Sequence, residues 1–194
     1  MTTHPARLLV VCAALLATSA SATPPAGPSG PAAACPALLQ HTVPRLQDEK
    51  PVPLCRFAGQ VVVVVNTASK CGYTPQYKSL ETLHTRYKDR GLVVLGFPSG
   101  DFGGQELASN AAIADFCEST FGVRFPMFAK TSVKGSAAHP LYKTLAARTG
   151  RAPGWNFHKY IVGRDGQTVV SHGSDTDPLD AAFLKDVDRL LSAK

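Results

Sequence analysis

The chain has 194 residues, a formal net charge of +6 and a hydrophobic share of 44%. That length requires no more than one folded domain, and that hydrophobic share is ordinary for a chain that buries a core. Lys and Arg are scattered among Asp and Glu without a long run of one sign, which describes a solvated basic surface and argues against a nucleic-acid partner.

Arg7, the apolar run Leu8 to Ala17 and the small residues Ala20-Ser21-Ala22 have the pattern of a cleavable export signal. The apolar run is too short to span a bilayer. Cleavage is expected after Ala22, so residues 1–22 are read as signal peptide. The product is expected in the periplasm or secreted, with no membrane attachment after cleavage. Residues 23–34, rich in Pro, Ala, Gly and Ser, read as a flexible leader, and the folded domain is expected over 35–194.

Removing the signal removes Cys12 and leaves Cys35, Cys55, Cys71 and Cys117 in a compartment where disulfides persist. Cys35 and Cys55 both precede the first core strand and are expected to pair. The bridge closes a loop of about 20 residues and contributes about 3 kcal/mol in the chain-entropy picture. Four cysteines allow three pairings, and the sequence alone does not choose among them. None stands in CxxC spacing, which argues against structural zinc.

Val61 to Val65 is a run of five valines. Branched residues without alternation predict a strand buried on both faces, as in a parallel sheet. Thr74 and Pro75 read as the cap and first residue of a helix. Tyr77, Leu80, Leu83 and Tyr87 recur at helical spacing, and Gly91 ends that helix. Leu92 to Phe97 is a second buried strand, completing a βαβ unit.

After the Gly-rich stretch Ser99 to Ser109, a helix is expected to turn Ile113, Phe116 and Cys117 inward. Phe125 to Ala129 reads as a short strand, and His139 to Arg148 as a helix ending at Gly150. His158 to Arg164 and Gln167 to His172 flank Asp165-Gly166, a strong hairpin signal. A last helix is expected from Asp177 and Pro178, with Leu184, Val187 and Leu191 inward. This order predicts an α/β, thioredoxin-like fold with a central mixed β-sheet flanked by helices.

Cys71 falls between a buried strand and a helix start. Unpaired N–H groups and partial positive charge at a helix N-terminus favour a thiolate, and Lys70 adds a cation next door. Position therefore marks Cys71 as the reactive thiol of the chain. Gly72 leaves room for a substrate to approach.

Around it, Asn66-Thr-Ala-Ser-Lys-Cys71-Gly-Tyr-Thr-Pro-Gln-Tyr77 resembles the active-site signature of glutathione peroxidases. Gly96-Phe-Pro-Ser-Gly-Asp-Phe-Gly-Gly-Gln-Glu106, Phe125-Pro-Met-Phe-Ala129 and Trp155-Asn-Phe157 resemble three further motifs of that family. The motifs occur in family order, and four ordered motifs are far more specific than one. The resemblance implies a peroxidatic residue at Cys71, supported by Trp155 and Asn156. An indole N–H and a carboxamide can donate hydrogen bonds to a thiolate and to a peroxide oxygen.

The second motif departs from the family, which has Cys-Asn-Gln where this chain has Ser99-Gly100-Asp101. Asp101 thus stands where a supporting Gln is usual. A carboxylate cannot donate a hydrogen bond. Asp101 either is protonated and donates, or accepts the thiol proton and passes it to the leaving oxygen, or is a solvated loop residue. Cys117 matches the family position that resolves the sulfenic acid in members reduced by a thioredoxin-type protein. If it lies on a helix, that helix must shift during turnover. The segment from Leu145 to Trp155 is short, whereas tetrameric members carry a long insertion there, so a monomer is expected.

The resemblance implies a thiol-dependent peroxidase acting on hydrogen peroxide and organic hydroperoxides. Its reductant is glutathione or a thioredoxin-type dithiol protein, and its role is defence against oxidative stress. No metal or organic cofactor is expected: the six histidines lack ligand spacing, and no phosphate loop, flavin or nicotinamide fingerprint occurs. The rivals are a non-enzymatic thiol sensor or relay built on the same two cysteines, and an inactive binding module lacking the Gln. A thioredoxin-like disulfide reductase or metal chaperone is disfavoured because Cys71-Gly-Tyr-Thr74 lacks the second cysteine of CxxC.

Overall fold

The computed structural model describes residues 1–2 and 34–193, so the expected signal peptide and most of the leader lie outside the described residues. The five valines form the centre of β3 (Val61–Thr67), in which every residue is buried. Branched side chains stiff about χ1 pack well on a pleated sheet covered on both faces. β3 pairs in parallel with β4 (Leu92–Pro98) and antiparallel with β5 (Lys159–Val162), which pairs antiparallel with β6 (Val169–His172). The strand order is β4-β3-β5-β6, the mixed sheet of a thioredoxin-like α/β fold.

The pleat separates two cores. Val61, Val63 and Val65 face α1 (Gln76–Tyr87), α2 (Asn110–Phe121) and α4 (Ala181–Ser192), through Tyr77, Leu80, Leu83, Ile113, Phe183 and Val187. Val62 and Val64 face α3 (Pro140–Thr149) and the N-terminal turns, through Leu141, Leu145, Leu38, Leu39 and Leu54. A short hairpin of β1 (Thr42–Pro44) and β2 (Pro51–Pro53) precedes the sheet. The sequence reading did not anticipate it, because three of its six residues are Pro, which reads as loop. Cys35 and Cys55 are joined by a disulfide with their Cα atoms 5.1 Å apart, tying the start of this arm to the turn after β2. Among the described residues, no helix is long and apolar enough to cross a membrane.

Four local expectations change. Residues 125–129 do not form a strand: the segment makes one isolated bridge to Gly96 and another to Arg45. Its hydrogen bonds alternate between two neighbours, β4 and the N-terminal hairpin, so no ladder accumulates on either side. α1 starts at Gln76 with Pro75 in the cap position, because the Thr74 hydroxyl is used inside the preceding loop. The Asp165-Gly166 pair sits in a longer loop, 163–168, where the Asp165 carboxylate accepts the Gln167 and Thr168 N–H groups. α4 starts at Ala181 rather than Asp177, since Asp177 closes a turn by accepting the Leu179 N–H and the Ser79 hydroxyl.

Candidate active site

β3 leads to Cys71, the residue expected from the sequence to be the nucleophile. Beyond Thr67 the chain leaves the sheet and turns through residues 68–75 before α1 begins. Thr74 organises this loop: its Oγ1 accepts the Cys71 N–H at 3.0 Å and donates to the Ala68 carbonyl at 2.9 Å. The Tyr73 N–H points at the Cys71 sulfur, 3.4 Å away, which is within reach for a donor to sulfur. Cys71 is a free thiol, 8% exposed. A Cβ on Gly72 would meet nothing within 4 Å, so the approach beside the sulfur is open.

The segment 155–158 is stitched to the same end of β3 by Asn66. Its side chain donates to the Trp155 carbonyl at 3.0 Å, and its own carbonyl accepts the Phe157 N–H at 2.6 Å. Phe157 is buried in the left-handed region at φ 62, a conformation a bulky residue holds only under constraint. The turn sets neighbouring side chains apart. Asn156 is wholly buried, while Trp155 is 41% exposed and leans its ring on Phe102, with centroids 5.7 Å apart.

Residues 99–106 close the third side. Asp101 does not turn toward the thiol loop. Its Oδ2 accepts the Ser132 hydroxyl at 2.9 Å, the Val133 N–H at 2.6 Å and the Lys134 N–H at 3.0 Å. Among the described residues, none of its hydrogen bonds goes to Cys71, Trp155 or Asn156. Two consecutive left-handed glycines, Gly103 and Gly104 (φ 65 and 62), then reverse the chain. The reversal brings Gln105 against the Cys71 loop, where its main-chain carbonyl accepts the Lys70 N–H at 2.9 Å and its Oε1 accepts Asn156 Nδ2 at 3.0 Å. Glu106 follows, buried, its Oε1 accepting the Ser69 N–H at 3.1 Å and the Ser69 hydroxyl. Burial pushes the Glu106 carboxyl above its usual range, against the pull of those donors.

Cys117 lies in α2, 2% exposed, and is also unbridged. Burial pushes its thiol up to about 11, with a hydrogen bond from Tyr77 acting in the opposite direction. Cys71 and Cys117 belong to the same hydrophobic cluster. Among the described residues, no three His, Cys, Asp or Glu side chains gather as a metal-ligand group.

Sequence reading passed over two residues beside the site. Gln105 sits within the second motif, but only the fold shows that it joins Lys70 to Asn156. Lys159 is wholly buried. Its ammonium donates to Gln76 Oε1 at 2.7 Å, to the Gly173 carbonyl at 3.2 Å and to the Thr176 carbonyl at 2.5 Å, clamping the 173–176 loop onto the start of α1. Burial holds Lys159 down to about 8, with Asp177, Asp175 and Asp180 opposing. The available signal was its place in a strand without alternation, where even a Lys must point inward.

The sequence profile described as glutathione peroxidase matches residues 39–146. The chain is 45% identical over 139 residues to the glutathione peroxidase-like peroxiredoxin gpx1 of Schizosaccharomyces pombe, covering 70% of this chain and 88% of that protein. It is 44% identical over 157 residues to the hydroperoxy fatty acid reductase gpx1 of Synechocystis, covering 74% and 90%. The fold is similar to the crystal structure of T. cruzi GPX1, with a TM-score of 0.62 and 30% identity over 80% of this chain and 97% of that one.

Proposed function

The chain belongs to the glutathione peroxidase family, and on that premise we propose that it reduces hydrogen peroxide and organic hydroperoxides through Cys71 with a dithiol protein as reductant. Thiol peroxidase activity comes with the family; the substrate, the reductant and the residue roles are the proposal. The observation that carries it is the convergence on one loop: Cys71 at the end of β3, with Lys70 held by Gln105 and Gln105 held by Asn156.

In the first step the Cys71 thiolate attacks the peroxide oxygen distal to the leaving group. The S–O bond forms as the O–O bond breaks; sulfur is oxidised to sulfenic acid, and the leaving alkoxide or hydroxide takes a proton to become alcohol or water. Trp155 and Asn156 donate to the charge that develops on oxygen. In the second step the Cys117 sulfur displaces hydroxide from the sulfenic acid, which leaves as water with the Cys117 proton, and a Cys71–Cys117 disulfide forms. An external dithiol then reduces it by exchange.

A buried thiol on a helix suits a partner protein better than a small thiol, because α2 must open to present Cys117. This favours a thioredoxin-type reductant over glutathione. A relative named hydroperoxy fatty acid reductase supports organic hydroperoxides within the substrate range. The cycle requires no metal or organic cofactor. The export pattern at residues 1–22 supports a location in the periplasm or outside the cell, and the short Leu145–Trp155 segment favours a monomer.

The test is peroxide consumption at steady state, with glutathione and with a thioredoxin system side by side, for wild type and Cys71→Ser. Sustained turnover lost in Cys71→Ser is expected, and faster with thioredoxin. A variant that keeps most of the rate overturns the role of Cys71. A single equivalent of peroxide consumed without turnover on either reductant would favour the redox relay instead.

A further inference from the structure

A cavity of about 340 Å³ lies between the N-terminal arm and the segment 124–128, with Arg45, Arg56 and Arg124 on its lining together with Phe57, Met127 and Phe128. None of its lining residues belongs to the loops around Cys71. Its volume falls at the small end of the range of small-molecule sites, about 300–1,000 Å³.

The walls are tied to one another. The Leu46 N–H donates to the Met127 carbonyl and the Ala129 N–H to the Pro44 carbonyl, each at 2.9 Å, and Arg45 bridges to Phe128. Arg56 and Phe57 follow directly on Cys55, which the disulfide fastens to Cys35. The cavity is therefore built from constrained main chain, not from the tips of a loose loop.

Its charge has one sign, since every charged residue on the lining is an arginine. Asp48 Oδ1 accepts Arg45 Nε at 2.8 Å and so occupies that guanidinium. Among the described residues, the guanidinium groups of Arg56 and Arg124 make no ion pair; that of Arg56 lies over the Phe57 ring, 5.6 Å from its centroid. The Glu81 carboxylate is engaged by the main-chain N–H groups of Arg124 and Phe125. Like charges around a small cleft repel, and the walls focus their field on whatever enters. A carboxylate relieves that repulsion and matches the guanidinium fork. A bare anion leaves the two rings and the thioether in water, and a neutral lipid leaves the arginines unanswered. A carboxylate with an apolar tail meets both.

We propose that this cavity binds a carboxylate of the fatty-acid class at a site separate from Cys71. Arg56 and Arg124 hold the carboxylate, and Phe57, Met127 and Phe128 take the tail. The proposal depends on neither the reductant nor the role of Cys117.

The experiment titrates octanoate into the full chain and follows main-chain amide NMR signals, which report both affinity and place. Octanol and acetate, each carrying half of the chemistry, are titrated in parallel. Saturable shifts are expected at Arg56, Phe57 and Met127 and not around Cys71. Arg56→Ala and Arg124→Ala should each weaken octanoate about tenfold, the order of a hydrogen bond to a charged group, and octanol and acetate should bind at least tenfold more weakly than octanoate. The spectra show whether each variant is folded, and Cys71 oxidation in both should keep its wild-type rate. Shifts that do not saturate, shifts confined to other surfaces, octanol binding as tightly as octanoate, or unchanged affinity in both arginine variants overturns the proposal. A polyglutamate peptide or phosphatidylglycerol vesicles engaging Arg56 and Arg124 where octanoate does not would overturn it in favour of an acidic protein or a membrane surface.

Discussion

The Asp101 carboxylate accepts the Val133 main-chain N–H at 2.6 Å, and with it the two neighbouring donors of residues 132 and 134. The residue at the family's glutamine position therefore braces two loops against each other. Asp101→Ala should lower stability by about 1 kcal/mol, the low end of the cost of leaving donors unpaired because these are only partly buried or exposed, while single-turnover oxidation of Cys71 changes by less than tenfold. Denaturant melts alongside stopped-flow rates check this. A hundredfold slower oxidation with unchanged stability would restore the proton-acceptor role that the sequence suggested for Asp101.

Cys117 should be silent in the reduced, folded protein. With burial holding its thiol at about 11, brief alkylation at pH 8 should label Cys71 and spare Cys117, as read by mass mapping. After one equivalent of peroxide, both should be protected as a disulfide. Cys117→Ser should still consume that first equivalent but lose turnover with a thioredoxin system by a hundredfold or more, on the order of a catalytic group's contribution. Turnover at the wild-type rate would remove Cys117 from the cycle.

Acid should weaken the fold partly through His158. Burial first, then the nearby charges of Lys159, Arg151 and His172, push its ring down to about 4. The folded state therefore holds the neutral ring at pH values where the unfolded chain, near the ordinary 6.5, binds a proton. The contribution to stability is fully present above about pH 6.5 and is lost as pH falls through about 4. Stability measured by urea denaturation should fall across that window, and His158→Gln should flatten the fall. His41, His84, His139 and His172, also lowered by burial, should leave a residual slope. An identical acid limb in the variant would assign the loss to those groups alone.

The Cys35–Cys55 bridge should stabilise the N-terminal arm without touching the chemistry. Cys35→Ala/Cys55→Ala should lower stability by about 3 kcal/mol, from the loop closed, and leave Cys71 oxidation at its wild-type rate. Peptide mapping of protein from the exported fraction should find neither cysteine alkylated before reduction. A slowed oxidation step would mean that the arm supports the site.

Patterns read within a few residues carried most of the fold. Five valines without alternation required a strand covered on both faces, and Tyr77, Leu80, Leu83 and Tyr87 required a helix with one buried stripe, because pleat and helical period are local properties of the chain. The position proposed for the reactive thiol was legible for the same reason, since a strand end, a cysteine and a helix start are contiguous. The roles of Asp101, Gln105 and Lys159 were decided elsewhere. Asp101 is turned away by donors some thirty residues further on. Gln105 gains its place from two left-handed glycines and from Lys70 and Asn156, and Lys159 is caged by carbonyls of a loop beyond β6. A side chain's type states which hydrogen bonds it can make; which ones it does make depends on the groups that folding brings within 3 Å, and for these three residues those groups are far away along the chain.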